Sequence, residues 1–107
     1  MPGEPEVTVM RRILFEAPHP AGRREKHPYV LEVSVTGPLD PATGYVVDFD
    51  VLKTVMREAA ARLDMPVPAE TAAIACWREL APRLAPARLT SVRLWETPNQ
   101  GAEYHGD

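Results

Sequence analysis

Glu96 is the residue whose placement most needs a chemical explanation. It closes an alternating run from Leu89 to Glu96, in which Val92, Leu94 and Glu96 share one face. A carboxylate on an apolar strand face is costly to bury unless it is paired. A flat N–H/NH2 edge, such as a guanine-like amidine presents, supplies a two-bond partner. The plainer alternative is an exposed strand-end glutamate bonded to a backbone N–H. His19, Glu25 and His27 form a second set. Two imidazoles and a carboxylate can hold a catalytic zinc with one position open, or they can be three solvated loop side chains. Arg23, Arg24 and Lys26 interleave with them and can clamp an anion, although a charge run on a loop is ordinarily solvated. Asp64 is an acid–base candidate or the cap of a loop end. Cys76, between Ala75 and Trp77 with no basic neighbour, reads as a small buried thiol rather than a nucleophile. Tyr104 and His105 either line an intersubunit pocket or fray.

These residues need a scaffold, and 107 residues with 45% apolar and 25% charged side chains supply a single domain with a modest core. That domain is expected to span residues 1–107, with residues 1–5 flexible. A net charge of −3 and a pI near 5.6 argue against a phosphate-backbone partner, so no nucleic acid is expected. One cysteine precludes an internal disulfide. No apolar run approaches the ~20 residues of a membrane span, so no membrane partner is expected. The N-terminal residues lack a basic region followed by an apolar one, and the cytoplasm is the expected compartment.

The pattern of the chain gives the elements. Glu6 to Ala17 alternates, with Val7, Val9, Ile13 and Phe15 on one face; Pro18 and Pro20 end the run. A short charged loop, Ala21 to His27, leads into a second alternating run, Tyr29 to Thr36, with Tyr29, Leu31, Val33 and Val35 on one side. Gly37 to Gly44 carries turn chemistry. The period then changes: Phe49, Leu52, Val55, Met56, Ala59, Ala60 and Leu63 predict an amphipathic helix with Asp48 as N-cap. A second helix starts near Ala69 with Ala73, Trp77 and Leu80 on one stripe, and Pro82 bends or ends it. A strand over Leu89 to Glu96 and a short one around Ala102 to Tyr104 complete the order β-β-α-α-β-β. That order predicts an α+β fold, one antiparallel sheet with both helices on a single face. The other face carries several apolar residues and is expected to need a partner.

Several segments in the same order resemble the 6-pyruvoyl-tetrahydropterin synthase family, including its bacterial 6-carboxy-tetrahydropterin synthase branch of queuosine synthesis. Gly37-Pro38-Leu39-Asp40-Pro41-Ala42-Thr43-Gly44-Tyr45-Val46-Val47-Asp48-Phe49 resembles the G-x-L-D-x-x-T-G-M-V-x-D-F run. Val92-Arg93-Leu94-Trp95-Glu96-Thr97 followed by Ala102-Glu103-Tyr104 resembles V-x-V-x-E-T…A-x-Y. Phe15-Glu16-Ala17-Pro18-His19 and His27-Pro28-Tyr29 resemble F-x-A-A-H and the end of H-G-H-x-Y. The resemblance implies a T-fold whose protomers form rings, so a homo-oligomer, trimer or hexamer, with active sites between subunits.

It further implies chemistry on dihydroneopterin triphosphate, with zinc on three histidines, a cysteine and an Asp–His pair moving protons, and a glutamate gripping the pterin. Residue by residue, the zinc positions fall on His19, Glu25 and His27. The cysteine's loop is short and holds none, with Ala21 nearest its place; the catalytic histidine position, after Asp64, is Met65. Glu96 matches the pterin-gripping glutamate, and Thr97, His27 and Tyr104 are the further substrate-binding candidates. Losses on the reacting groups beside a retained scaffold point to a lyase or cyclase repurposed to another small cyclic or heterocyclic molecule, with Glu96 and Asp64 as the catalytic candidates. The alternatives are a slow pterin synthase with zinc, or a non-catalytic assembly module that pairs with an intact paralogue.

Overall fold

The computed structural model describes residues 4–19 and 23–106; the side chains of His19 and of residues 23–25 lie outside that description. Strand β1 covers Glu6–His19 and β2 Arg23–Pro38. Helices α1, Phe49–Ala61, and α2, Ala69–Leu80, follow, with a 3-10 turn at Ala81–Arg83. Strands β3, Arg88–Thr97, and β4, Gln100–Tyr104, complete the chain. The four strands lie in sequence order β1-β2-β3-β4, every neighbouring pair antiparallel. This is the α+β arrangement that the periodicities predict.

The alternating residues of β2 decide where the core sits. Tyr29, Leu31, Val33 and Val35 are buried on the face the helices cover, opposite Ile13 of β1 and Leu89, Val92 and Leu94 of β3. Helix α1 contributes Leu52, Val55, Met56 and Ala59, spaced at three and four residues, so one stripe meets the sheet. Its start is fixed as expected. Asp48 is extended, and its Oδ1 accepts from the backbone N–H of Asp50 at 2.8 Å and of Val51 at 3.3 Å. Those donors have no partner inside the helix, so the cap is worth about 1 kcal/mol. Helix α2 buries Ala69, Ala72, Ala73, Cys76 and Leu80, while Trp77 is half-buried at its edge.

The hairpin at the start departs from expectation. The segment read as a charged loop is largely strand: Arg23 to His27 already belong to β2, with Lys26 opposite Pro18 and His27 opposite Ala17. Periodicity missed this because the segment is polar and is followed by Pro28. The ladder between β2 and β3 extends from Val30 to Thr36 on β2, so among the described residues this stretch of β2 is paired with β1 alone. A proline is tolerated where one side of a strand carries no ladder.

Candidate active site

Glu96 occupies an irregularity rather than a regular strand position. Along β3 and β4, Trp95 pairs with Gly101 and Thr97 with Gln100, which leaves Glu96 as an extra residue on β3. A bulge of this kind bends the strand and re-aims side chains. The strict alternation that groups Glu96 with Val92 and Leu94 therefore ends at Leu94. Glu96 is half-buried and lines a cavity of about 480 Å³ together with Arg12, Pro28, Val30, Trp95, Thr97 and Pro98. Two of the residues matched to the family motif, Glu96 and Thr97, thus share one cavity.

Trp95 is one of the lining residues, and two features hold its indole. A Cβ added at Gly101 would lie 2.7 Å from Cε3 of the Trp95 ring, so the ring rests directly on the β4 backbone where only glycine leaves room. On its polar side, Trp95 Nε1 donates to Glu32 Oε1 at 3.4 Å. Glu32 is 6% exposed on the face away from the helices. Its Oε2 lies 3.3 Å from Arg12 Nε, and its Oε1 lies 3.7 Å from a terminal nitrogen of Arg93. Arg93 in turn pairs with Glu103, and His105 Nε2 lies 2.5 Å from Glu103. The register places Arg12, Glu32, Arg93 and Glu103 directly opposite one another on the four strands, so charges alternate in one row across the sheet. The sequence holds no sign of this row, because its members are distant until register brings them together. Paired with Arg93, Glu103 keeps its carboxyl below the usual carboxylate range; His105 adds a smaller push in that direction.

A second cluster lies under Glu96. Tyr29 is buried, stacked on Phe15 at 5.3 Å, and met edge-on by His27 at 5.1 Å. Burial first, and the Glu96 charge second, push the Tyr29 hydroxyl above its ordinary value. From sequence Tyr29 is a strand-face residue and the end of the His27-Pro28-Tyr29 motif; in the fold it precedes Val30, whose β3 partner Trp95 is the neighbour of Glu96. His27 is half-buried with Nδ1 shielded from solvent, but it does not line the cavity.

The remaining candidates separate. The backbone brings His19, Glu25 and His27 to one end of the β1–β2 hairpin, with a register shift between Pro18 and His19. The side chains of His19 and Glu25, like those of Arg23 and Arg24, lie outside the described residues, as does Ala21; Lys26 is exposed. Among the described residues, no three His, Cys, Asp or Glu side chains gather as a metal site. Asp64 is exposed beyond α1 and away from the cavity. Tyr104 packs edge-on against Trp77 at 5.7 Å and so anchors β4 to α2 instead of lining the cavity. Cys76 is fully buried, and desolvation pushes its thiol up to about 12, which makes it inert as a nucleophile.

A four-stranded antiparallel meander with a helix pair inserted after its second strand, and a carboxylate cavity where its third strand bulges, defines a T-fold protein of the tetrahydropterin-synthase type. The 6-pyruvoyl tetrahydropterin synthase family model matches residues 9–107, and the chain belongs to that family. It is 36% identical over 95 residues to 6-pyruvoyl tetrahydrobiopterin synthase of Pongo abelii and 35% identical over 95 residues to that of Homo sapiens. Each match covers 76% of this chain and 66% of the relative, so the chain spans just under two thirds of the length of these curated relatives. The solved structure of Caenorhabditis elegans 6-pyruvoyl tetrahydropterin synthase shares the fold with a TM-score of 0.77 at 24% identity, covering 96% of this chain and 97% of that one.

Proposed function

We propose that this chain is a divergent tetrahydropterin-synthase-like enzyme that binds a small cyclic or heterocyclic substrate through Glu96 and carries out a lyase- or cyclase-type step other than the parental one. The observation that carries this reading is the bulge at Glu96, which sets a carboxylate beside a fixed indole in an apolar-walled cavity. A carboxylate so placed suits the N–H edge of a flat ring, and Thr97 is a second polar lining group. The parental proton movers have no counterpart. Met65 stands after Asp64 where the resemblance expects a histidine, and the sole cysteine, Cys76, is sealed between α2 and the sheet. Glu96 is then the proton-transfer candidate in the cavity. Asp64 enters only if another protomer brings it there, and general acid–base help from one such group supplies about 10²–10⁴-fold.

Assembly belongs to this proposal. Val7, Met10 and Leu14 of β1, and Leu39, Tyr45, Phe49 and Val51 around the start of α1, are exposed apolar residues that a trimer or hexamer of this chain would cover. Light scattering on the purified protein tests it, with a monomer as the contrary result. Cytoplasmic residence is proposed with it.

The test of the reading is turnover and binding with a panel of pterins and guanine-like heterocycles, in the native protein and in Glu96→Gln. Loss of both ligand binding and product formation in the variant is expected. A variant that binds and converts the same compounds at the native rate ends the proposal. The hairpin end that collects His19, Glu25 and His27 favours a second reading, a slow dihydroneopterin triphosphate lyase with zinc. Metal analysis of the purified protein separates the two, since protein without stoichiometric zinc leaves the second reading no metal to act through.

A further inference from the structure

The chain leaves the sheet through Tyr104, His105 and Gly106, and this exit lies against α2. Tyr104 meets the Trp77 ring edge-on at 5.7 Å. Gly106, at φ +104°, comes so close to the same ring that an added Cβ would sit 2.6 Å from Cζ2. Between them the His105 ring bridges β4 and β3. Its Nε2 lies 2.5 Å from Glu103 Oε2, and its Nδ1 lies 3.3 Å from the carbonyl oxygen of Thr90.

Both partners accept hydrogen bonds and neither donates. Thr90 offers a backbone carbonyl. The Glu103 carboxyl is held below the usual carboxylate range, first by its bond to Arg93, so it is ionised at neutral pH. A neutral imidazole carries one N–H and satisfies one of the two acceptors; the imidazolium carries two and satisfies both. We propose that His105 is a proton-operated clamp on the end of β4. Charged, it ties Glu103 to Thr90 and seats the exit on Trp77; neutral, it keeps one acceptor and releases the exit.

The strand register supplies the second acceptor. Ser34 of β2 pairs with Ser91 and Val35 with Leu89, which leaves Thr90 as an extra residue on β3. On the other side, the β3–β4 ladder ends at Val92 and Tyr104. The Thr90 hydroxyl donates to the Ser34 carbonyl oxygen at 3.1 Å, which holds this bulge to β2. The imidazole thus carries the β4 connection one step beyond the ladder. With five residues at the edge of the sheet, β4 has little else to fix its end.

The charges around the ring act in both directions. Glu103 on β4 favours the proton. Arg93 on β3, which shares that carboxylate, opposes it, and Arg78, next to Trp77, adds positive charge to the last turn of α2. Beyond Arg93 the row continues to Glu32 and Arg12. The His105 side chain is 66% exposed, so protons exchange with it freely. Imidazole is the side chain whose charge changes near neutrality, so the clamp works where the rest of the row keeps its charges.

The test uses the full chain and an NMR titration between about pH 5 and 8. The readouts are His105 Cε1–H, the Trp77 indole N–H, and the Gly106 Hα that points at the Trp77 ring. The ring-current displacement of that Hα is expected to be present at low pH and lost as pH rises, with the midpoint of His105. His105→Gln is expected to make the Gly106 and Trp77 resonances independent of pH, at the positions the native protein reaches at high pH. Glu103→Gln is expected to move the transition to lower pH, since a neutral acceptor holds the proton less tightly. The methyls of Leu31 and Val33, buried in the core, report that each variant is folded. A Gly106 displacement that stays constant while His105 titrates overturns the proposal. So does a Gly106 transition that persists in His105→Gln, which then belongs to His19 or His27. A midpoint unmoved in Glu103→Gln also ends it, because the carboxylate is then not holding the proton.

Discussion

The two faces of the sheet are built on opposite rules. Beneath the helices, Leu31, Val33, Val35, Val92 and Leu94 are wholly buried, and what holds them is apolar area removed from water. Across the same strands, the other face carries the row Arg12–Glu32–Arg93–Glu103, with the Trp95 ring on Gly101. The first face is filled chiefly by apolar side chains, while the second buries a carboxylate by surrounding it with donors. Stability lives chiefly on the helix face. The features that can recognise a ligand lie on the other face, or at the bulge where the two meet.

Four changes break or sharpen that contrast. Leu31→Ala, on the helix face between β1 and β3, is expected to cost about 2–5 kcal/mol, measured by denaturant unfolding. Leu14→Ala on β1, 66% exposed, is expected to stay within about 0.5 kcal/mol in the dissociated protomer.

The second change uses alkali. The folded Cys76 thiol sits at about 12, against an ordinary value of 9.0. Between those values the folded state holds more protons than the unfolded one, so stability falls as pH rises through the window and is fully present below it. Tyr29, raised from 10.0, acts in the same direction. The Cys76 contribution to the loss is expected to reach about 2–4 kcal/mol, and Cys76→Ala is expected to flatten the slope of stability against pH between 9 and 12.

Third, Gly101→Ala pushes a methyl into the Trp95 ring at 2.7 Å and against the Leu94 carbonyl oxygen at 2.9 Å. Relief requires the indole to leave its seat, at about 1–3 kcal/mol. The cavity wall moves with it, so heterocycle binding is expected to fall more than stability does, as read by titration beside thermal unfolding. The fourth change, Asp48→Ala, frees the helix donors of Asp50 and Val51 and is expected to cost about 1 kcal/mol without touching either sheet face.

Much of this protein was legible in the order of its residues. Alternation in β1, β2 and β3, the change of period at Phe49, and Asp48 before it are local signals, and local backbone preference with one-sided burial is enough to realise them. The family motifs pointed to Glu96 and Thr97, and these share a cavity. Other features were hidden because they arise between strands. Arg12, Glu32, Arg93 and Glu103 look like scattered surface charges until antiparallel register sets them side by side. The strand character of Arg23 to His27 was obscured by polar residues and a proline, which say nothing of whether a neighbouring strand supplies the ladder.

What the sequence alone determined is the set of elements, their order and the apolar stripe of each. Only the tertiary structure decided that Glu96 leaves the alternation, that Trp95 lies on Gly101, and that Tyr104 packs edge-on against Trp77 of α2. The reason is one of range. Periodicity is written by neighbours along the chain, whereas a bulge, a buried charge and a ring seat are settled by which residues of another strand stand opposite.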